Sequence, residues 1–410
     1  MSGRGRRTLA VAVTVLGCVV VAGCGPADVE PDAAATSATS PAPTRDLPSA
    51  DPSPDGAPLV SDGEHGGGGA VDEAHPDDPD DPDDSGENGA DRGGTSSLAG
   101  PSPMPDWMTA PDPDDGLCPA ATVRVGGADE LQAALDEAGP GTVITLEPGV
   151  YEGEFVTTGS GTAERPAYLC GPREAVLDAG DQRGGYVLHL DGAQHWVLSG
   201  FTVRNGQKGV MADGTTGTTI SGLQVYGIGD EAIHLRRHST DNLVVANTVS
   251  DTGRRKPKYG EGVYVGTATS NWCDITDCEP DRSDRNRVVG NVIYATTSEA
   301  VDLKEGTTGG LVENNQFDGG GLVEADSWLD AKGNEWRITA NEGRRTPLDG
   351  FQTHDVEDGW GTRNVFTDNT GVLDDDEGLL VALRPANQNV VACSNRLTGG
   401  TGALSNVDCR

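Results

Sequence analysis

Aromatic residues are scarce: Phe, Trp and Tyr together make up 4% of the 410 residues. Wide layers packed around large rings are not built from such a supply, whereas a narrow core of aliphatic side chains is. Basic residues are scarce too, 29 Lys and Arg against 65 Asp and Glu, for a formal net charge of −36. That balance argues against a nucleic-acid-binding surface, which needs a strongly basic footprint. Long apolar runs are missing. The stretch Leu9–Val21 is too short, and wrongly flanked, to span a bilayer. The eight cysteines show no spacing suited to zinc.

What is present divides the chain into three parts. Residues 1–24 carry Arg4, Arg6 and Arg7, then the apolar run, then Val21-Ala22-Gly23-Cys24. This order of zones is a secretory signal. Its end resembles the lipobox of bacterial lipoproteins, which implies cleavage before Cys24, a lipid on the Cys24 sulfur and an extracytoplasmic, membrane-anchored protein. Residues 25–116 are Pro, Asp, Gly, Ser and Ala with almost no large apolar side chains, and DDPDDPDD at 77–84 is the extreme. Such a stretch buries too little to offset its ordering entropy and predicts a disordered tether. Residues 117–410 remain as the folded domain, expected to act as a monomer.

Setting aside Cys18 in the signal and Cys24, six cysteines fall in this exported domain, enough for three disulfides. Proximity along the chain suggests Cys118–Cys170, Cys273–Cys278 and Cys393–Cys409, although other connectivities are open.

The domain repeats itself. EAIHLR begins at Glu231, EGVYVG at Glu261, SEAVDLK at Ser298, SWLDAK at Ser327, DGFQTH at Asp349 and EGLLVA at Glu377. Each copy is a polar entrance followed by apolar-x-apolar-x, and the copies recur every 22 to 38 residues. Short alternating strands at such a period describe a solenoid with one coil per repeat. Asparagine recurs at one position, in Asn247, Asn291, Asn315, Asn341, Asn369 and Asn395. Stacked amides bond their neighbours in adjacent coils, which gives the spacing a physical cause. The 59 glycines supply permissive backbone for tight turns. Ahead of the repeats, Ala128–Ala138 has helical periodicity and stops at Gly139-Pro140-Gly141; TVITL and PGVY follow.

A helix feeding a strand and a PGVY turn, with an asparagine ladder behind it, resembles the pectate-lyase-like class of right-handed parallel β-helix proteins. The resemblance covers about residues 118–410. It implies an all-β, single-stranded right-handed parallel β-helix with an N-terminal capping helix. The cap has a physical role, since the first coil would otherwise expose its apolar end.

Aligning the repeats by their inward apolar pair sets two columns on the outer face. The first reads His189, Met211, His234, Tyr264, Asp302, Asp330, Gln352, Leu380, and the second Asp191, Asp213, Arg236, Gly266, Lys304, Lys332, His354, Ala382. Charge concentrates in the middle and fades toward both ends. Coils are about 4.8 Å apart, so neighbours in a column can act on one sugar. Basic segments containing Arg254, Arg255, Lys258 and Arg344 precede these strands. Guanidinium forks suit carboxylates, and Trp328 is a candidate for stacking on a sugar face.

Such a mixture suits an acidic polysaccharide as partner. The resemblance implies β-elimination by a lyase, with Lys304 as base, its pKa lowered by Lys332 or Arg236. Tyr264 and His354 are candidate proton donors, and Asp302, Asp330 and Glu299 are candidate Ca2+ ligands. The sequence has no acidic run matching the pectate-lyase calcium motif. Two alternatives stand beside this reading: a β-helical glycoside hydrolase using Asp302 and Asp330, and a non-catalytic glycan-binding surface protein. The Asn-Thr-Asp, Gly-His-Gly and Arg-Ile-Lys signatures of polygalacturonases are missing. The recurring Glu231, Glu261, Glu299, Asp349 and Glu377 read as turn formers at the coil entrances.

Overall fold

A computed structural model describes residues 100–111 and 116–410. The signal, Cys24 and most of the tether lie outside the described residues. From Val143 onward each coil lays down three strands: Val143–Leu146, Gly149–Glu152 and Phe155–Thr157 begin the first, second and third sheets. Strands stack parallel into sheets of 11, 10 and 10 strands, the first sheet gaining Val123–Val125 ahead of the coils. This is the parallel β-helix that the repeats predict.

Inward positions repeat coil after coil. Ile233, Val263, Val301, Leu329, Phe351 and Val381 stand in register in the third sheet, all fully buried. The period-two pattern therefore sends its apolar residues into a continuous core. Among the few aromatics, Phe317, Phe351, Phe366 and Trp328 pack together in that core in edge and tilted contacts. Trp328 is completely buried and donates Nε1–H to the Arg344 carbonyl at 3.1 Å, so it is a core residue and not a sugar platform. Its indole occupies space vacated by glycine: a Cβ on Gly343 would lie 2.3 Å from the ring.

The asparagine ladder is present in full. Asn247 donates from Nδ2 to Asn291 Oδ1 at 3.0 Å, and Asn291, Asn315, Asn341 and Asn369 each do the same to the next. Each rung also accepts the backbone N–H of the asparagine before it. Left-handed residues at the turn, such as Ala246, Gly290 and Asn314, aim these side chains inward. The capping helix, Ala128–Asp136, seals the first coil with Leu131 and Leu135. All three disulfides pair as chain proximity suggests.

Two expectations need correction. The tether does not run unpacked to Gly116, because residues 100–111 lie against the second sheet. Ser102 is bonded to Asp251, Trp107 to Asp318 and Thr109 to Gln316. The outer columns also end differently: Ala382 is level with Gln352, and Arg384 with His354. Val381 and Leu383 are the residues that enter the core in register, which moves the alignment by two. Charge therefore continues to the C-terminal end of the face.

Candidate active site

The outer face of the third sheet carries the candidate site. In the strand Val301–Leu303, alternation that buries Val301 and Leu303 turns Asp302 outward, and Lys304 follows on the same side. The next strand, Ser327–Ala331, sets Asp330 level with Asp302 and is followed by Lys332. Lys304 Nζ is 3.1 Å from Asp302 Oδ2, and Lys332 Nζ is 3.2 Å from the same oxygen and 3.3 Å from Asp330 Oδ2. His354 Nδ1 closes the chain on Asp330 Oδ2 at 2.8 Å. On the other flank, the Lys304 ammonium stands 5.2 Å from the centre of the Tyr264 ring. Asp302 is almost wholly enclosed, while the lysine side chains retain about a tenth of their exposure and His354 about a third. The more exposed groups of this cluster are therefore the lysines and His354.

Protonation follows from these neighbours. Burial alone would discharge Lys304, yet the charges of Asp302, Tyr264, Glu305 and Glu261 outweigh it and hold the ammonium well above the ordinary lysine range. This reverses the expectation that Lys332 or Arg236 lowers it. Lys332 is raised likewise, burial being overcome by Asp302 and Asp330. Burial pushes the Tyr264 phenol up, with Asp302 and Glu261 adding to it. Burial also disfavours charge on Asp330, but Lys332 and His354 prevail and keep its carboxyl below the usual range. His354 is raised because Asp330 outweighs the cost of burial.

The strand entrances are part of this network and not merely turns. Glu261, Glu299 and Asp302 each offer a carboxylate oxygen, all within 4.8 Å of one another, and Glu261 Oε2 is buried with no hydrogen-bond partner. Burial raises both glutamates, with Glu231 and Glu299 adding to it for Glu261 and Asp302 for Glu299. Asp330, expected as the third oxygen ligand, is not in this group; Glu261 takes its place. The trio could hold a cation, but Asp302 already carries two ammonium groups that a divalent ion would have to displace or repel. Ca2+ wants six to eight oxygens, and the set fits it poorly. His234, buried beside Tyr264 at 4.4 Å between ring centres, is held neutral by burial together with Lys208 and Arg236. A constant offset of three residues, Glu231 to His234, Glu261 to Tyr264 and Glu299 to Asp302, was the signal in the sequence for these glutamates.

Other expected residues are placed elsewhere. Arg236 lies two coils before Lys304, engaged with Asp213 at 2.8 Å and with the Tyr186 hydroxyl at 3.2 Å, and does not reach the lysines. Arg254 and Arg255 belong to the loop entering the Tyr264 strand, but their guanidiniums are held by Asp251 and Asp230. Lys258 is exposed in the turn Pro257–Tyr259 of that loop. Arg344 is not on the face that bears Lys304. It projects from the second sheet, pairs with Glu342 at 2.9 Å and covers the Trp107 ring at 4.6 Å.

A parallel β-helix with lysines, a tyrosine and a histidine gathered on one outer face defines a polysaccharide-lyase-like protein. The structure matches that of an alginate lyase from Paenibacillus sp. str. FPU-7, at 33% identity and a TM-score of 0.65, over 70% of this chain and 100% of that one. The chain belongs with it to the pectate-lyase-like parallel β-helix proteins. The pectate lyase Pel9A shares the fold at 14% identity and a TM-score of 0.52, over 71% of this chain and 79% of its own. No family model and no curated protein sequence matches the chain.

Proposed function

We propose that this protein cleaves an acidic, uronate-containing polysaccharide by β-elimination, using the recess around Lys304. The observation that carries the reading is the pair of enclosed ammonium groups, Lys304 and Lys332, sharing Asp302 beside Tyr264. The activity named for the Paenibacillus relative makes alginate the first polymer to test.

Elimination requires three services. The carboxylate of the sugar must be neutralised so that its neighbouring C–H becomes acidic. A base must take that proton while the electrons form the new C=C bond and expel the glycosidic oxygen. An acid must then protonate that oxygen. Lys332 and protonated His354 are the cations for the first service. A sugar carboxylate entering here takes over partners that Asp302 and Asp330 now hold. Lys304 and Tyr264 stand together for proton abstraction and return. Because Lys304 is an ammonium in the free protein, it must lose a proton before acting as base, so the rate climbs with pH until His354 loses the proton that makes it a cation.

Asp330 does not suit the acid of a paired-carboxylate hydrolase. A glycosidase acid must keep its proton at working pH, whereas Asp330 is held below the normal range by Lys332 and His354, and burial fails to offset them. Attachment through a lipid on Cys24, with the acidic stretch to about residue 99 as tether, completes the proposal. It places the site outside the membrane, facing polymers of the surroundings.

The test is to incubate the full chain with alginate, polygalacturonate and a neutral glucan. The expected result is ultraviolet absorbance from an unsaturated end on a polyuronate, with fragment masses that sum to the parent without added water. Fragments that each gain water would establish hydrolysis, and intact polymers retained by the protein would establish a binding surface.

A further inference from the structure

We infer that residues 100–111 are a positioning strap for the active site, acting through Ser102 and Trp107 on two carboxylates behind it. The strap crosses the outer face of the second sheet. Ser102 donates its backbone N–H and hydroxyl to Asp251 at 2.8 and 2.6 Å, and its carbonyl accepts the Tyr294 hydroxyl at 2.9 Å. Met108 is buried against Val292 and Tyr294. Trp107 donates Nε1–H to Asp318 at 2.7 Å and lies under the Arg344 guanidinium, while Thr109 exchanges two bonds with Gln316.

These attachments fall on, or directly after, the second-sheet strands Thr248–Ser250, Val292–Tyr294, Gln316–Asp318 and Glu342–Arg344. The same four coils continue into the third-sheet strands that bear Tyr264, Lys304, Lys332 and His354. The strap therefore braces the four coils that build the site, from the adjoining face.

Two attachments reach further. Asp251 also holds Arg254, at the start of the loop that runs to Glu261 and Tyr264. Asp318 also holds Arg345, at 2.9 Å to Nε, at the start of the short loop into Asp349–His354. Each carboxylate is thus shared between the strap and an arginine that opens a loop leading into the site. Asp251 and Asp318 are nearly inaccessible to solvent, so removing the strap takes a donor from each where water is a poor replacement. The loops then lose their fixed anchor, and with it the positions of the side chains at their far ends.

The kinetic arm of the test rests on the lyase reading, and the exchange arm does not. In the full chain, Ser102→Ala with Trp107→Ala is compared with wild type, and with a variant in which 100–111 is Gly/Ser sequence of equal length. Amide hydrogen exchange across 251–262 and 345–349 is expected to speed up about tenfold or more, with the first-sheet strands unchanged. Trp107→Phe keeps the ring on Arg344 but loses the N–H to Asp318, so it should loosen 345–349 and leave 251–262 as it was. On alginate, kcat/KM falls about three- to tenfold, with kcat lowered because Tyr264 is displaced. Unchanged exchange in both loops overturns the inference, as does faster exchange with an unchanged kcat/KM. If wild type makes no unsaturated product, the lyase reading fails and exchange alone decides the strap.

Discussion

Replacing Asn315 with alanine tests how the coils are held in register. Asn315 sits mid-ladder and is almost wholly buried. Its Nδ2 donates to Asn341 Oδ1 and to the Val288 carbonyl, both at 2.9 Å. Its Oδ1 accepts the backbone N–H of Asn291 at 2.8 Å and the Asn291 side-chain amide at 2.9 Å. Alanine removes four bonds and leaves two donors of Asn291 without an acceptor inside the turn. An orphaned buried donor costs about 1–3 kcal/mol, so the loss should be about 2–6 kcal/mol, a large share of the roughly 5–15 kcal/mol typical of a domain. With a urea slope of roughly 3 kcal/mol/M, the midpoint falls by about 0.7–2 M. Equilibrium urea unfolding followed by far-ultraviolet circular dichroism measures it. Asn271→Ala is the control, since that side chain makes only an exposed 3.3 Å contact with Ser270 and should cost under about 0.5 kcal/mol. If Asn315→Ala costs no more than Asn271→Ala, the ladder does not hold the coils and the argument from stacked amides is wrong.

Two further outcomes follow from the site. Adding EDTA should leave the rate on alginate unchanged within about twofold, because ammonium groups already neutralise Asp302; abolition by EDTA and recovery with Ca2+ would transfer that role to Glu261, Glu299 and Asp302. His354 is raised above its unfolded value by Asp330, which outweighs burial. Its contribution to stability is therefore complete below the unfolded pKa of about 6.5 and disappears as pH rises through the folded value. His354→Gln should lower the urea midpoint more at pH 5.5 than at pH 9; an equal loss at both would show that the Asp330 pair does not govern it.

Much of the fold was legible because a solenoid writes its geometry into the sequence at fixed intervals. Val301 and Leu303 identify an inward face, and the column of asparagines identifies a turn; each is repeated often enough to outweigh local ambiguity. The alternation also placed Tyr264, Asp302, Lys304, Asp330 and Lys332 together. It failed where the period did not apply. Trp328 has no outward counterpart, and only Gly343, Gly350 and Gly371, from other turns, reveal the inward space that it fills. Arg344 reads as a loop residue but ends a second-sheet strand. The pKa of Lys304 depends on Glu261 and Glu305 as well as Asp302, a sum over neighbours that spacing along one strand does not contain. The docking of 100–111 was illegible for a related reason: its composition is that of a tether, and Trp107 and Met108 find partners only across coils some two hundred residues away.

The most direct measurement is the initial rate of unsaturated-product formation by Lys304→Ala on the polyuronate that wild type cleaves, with urea midpoints taken alongside. Lys332 still neutralises Asp302 in this variant, so the fold should persist. The account predicts a loss of about 100-fold or more in kcat, in the range expected for removal of a general acid–base group, at a near-native midpoint. A folded variant that retains a third or more of the wild-type rate would contradict the assignment and move the chemistry away from this recess.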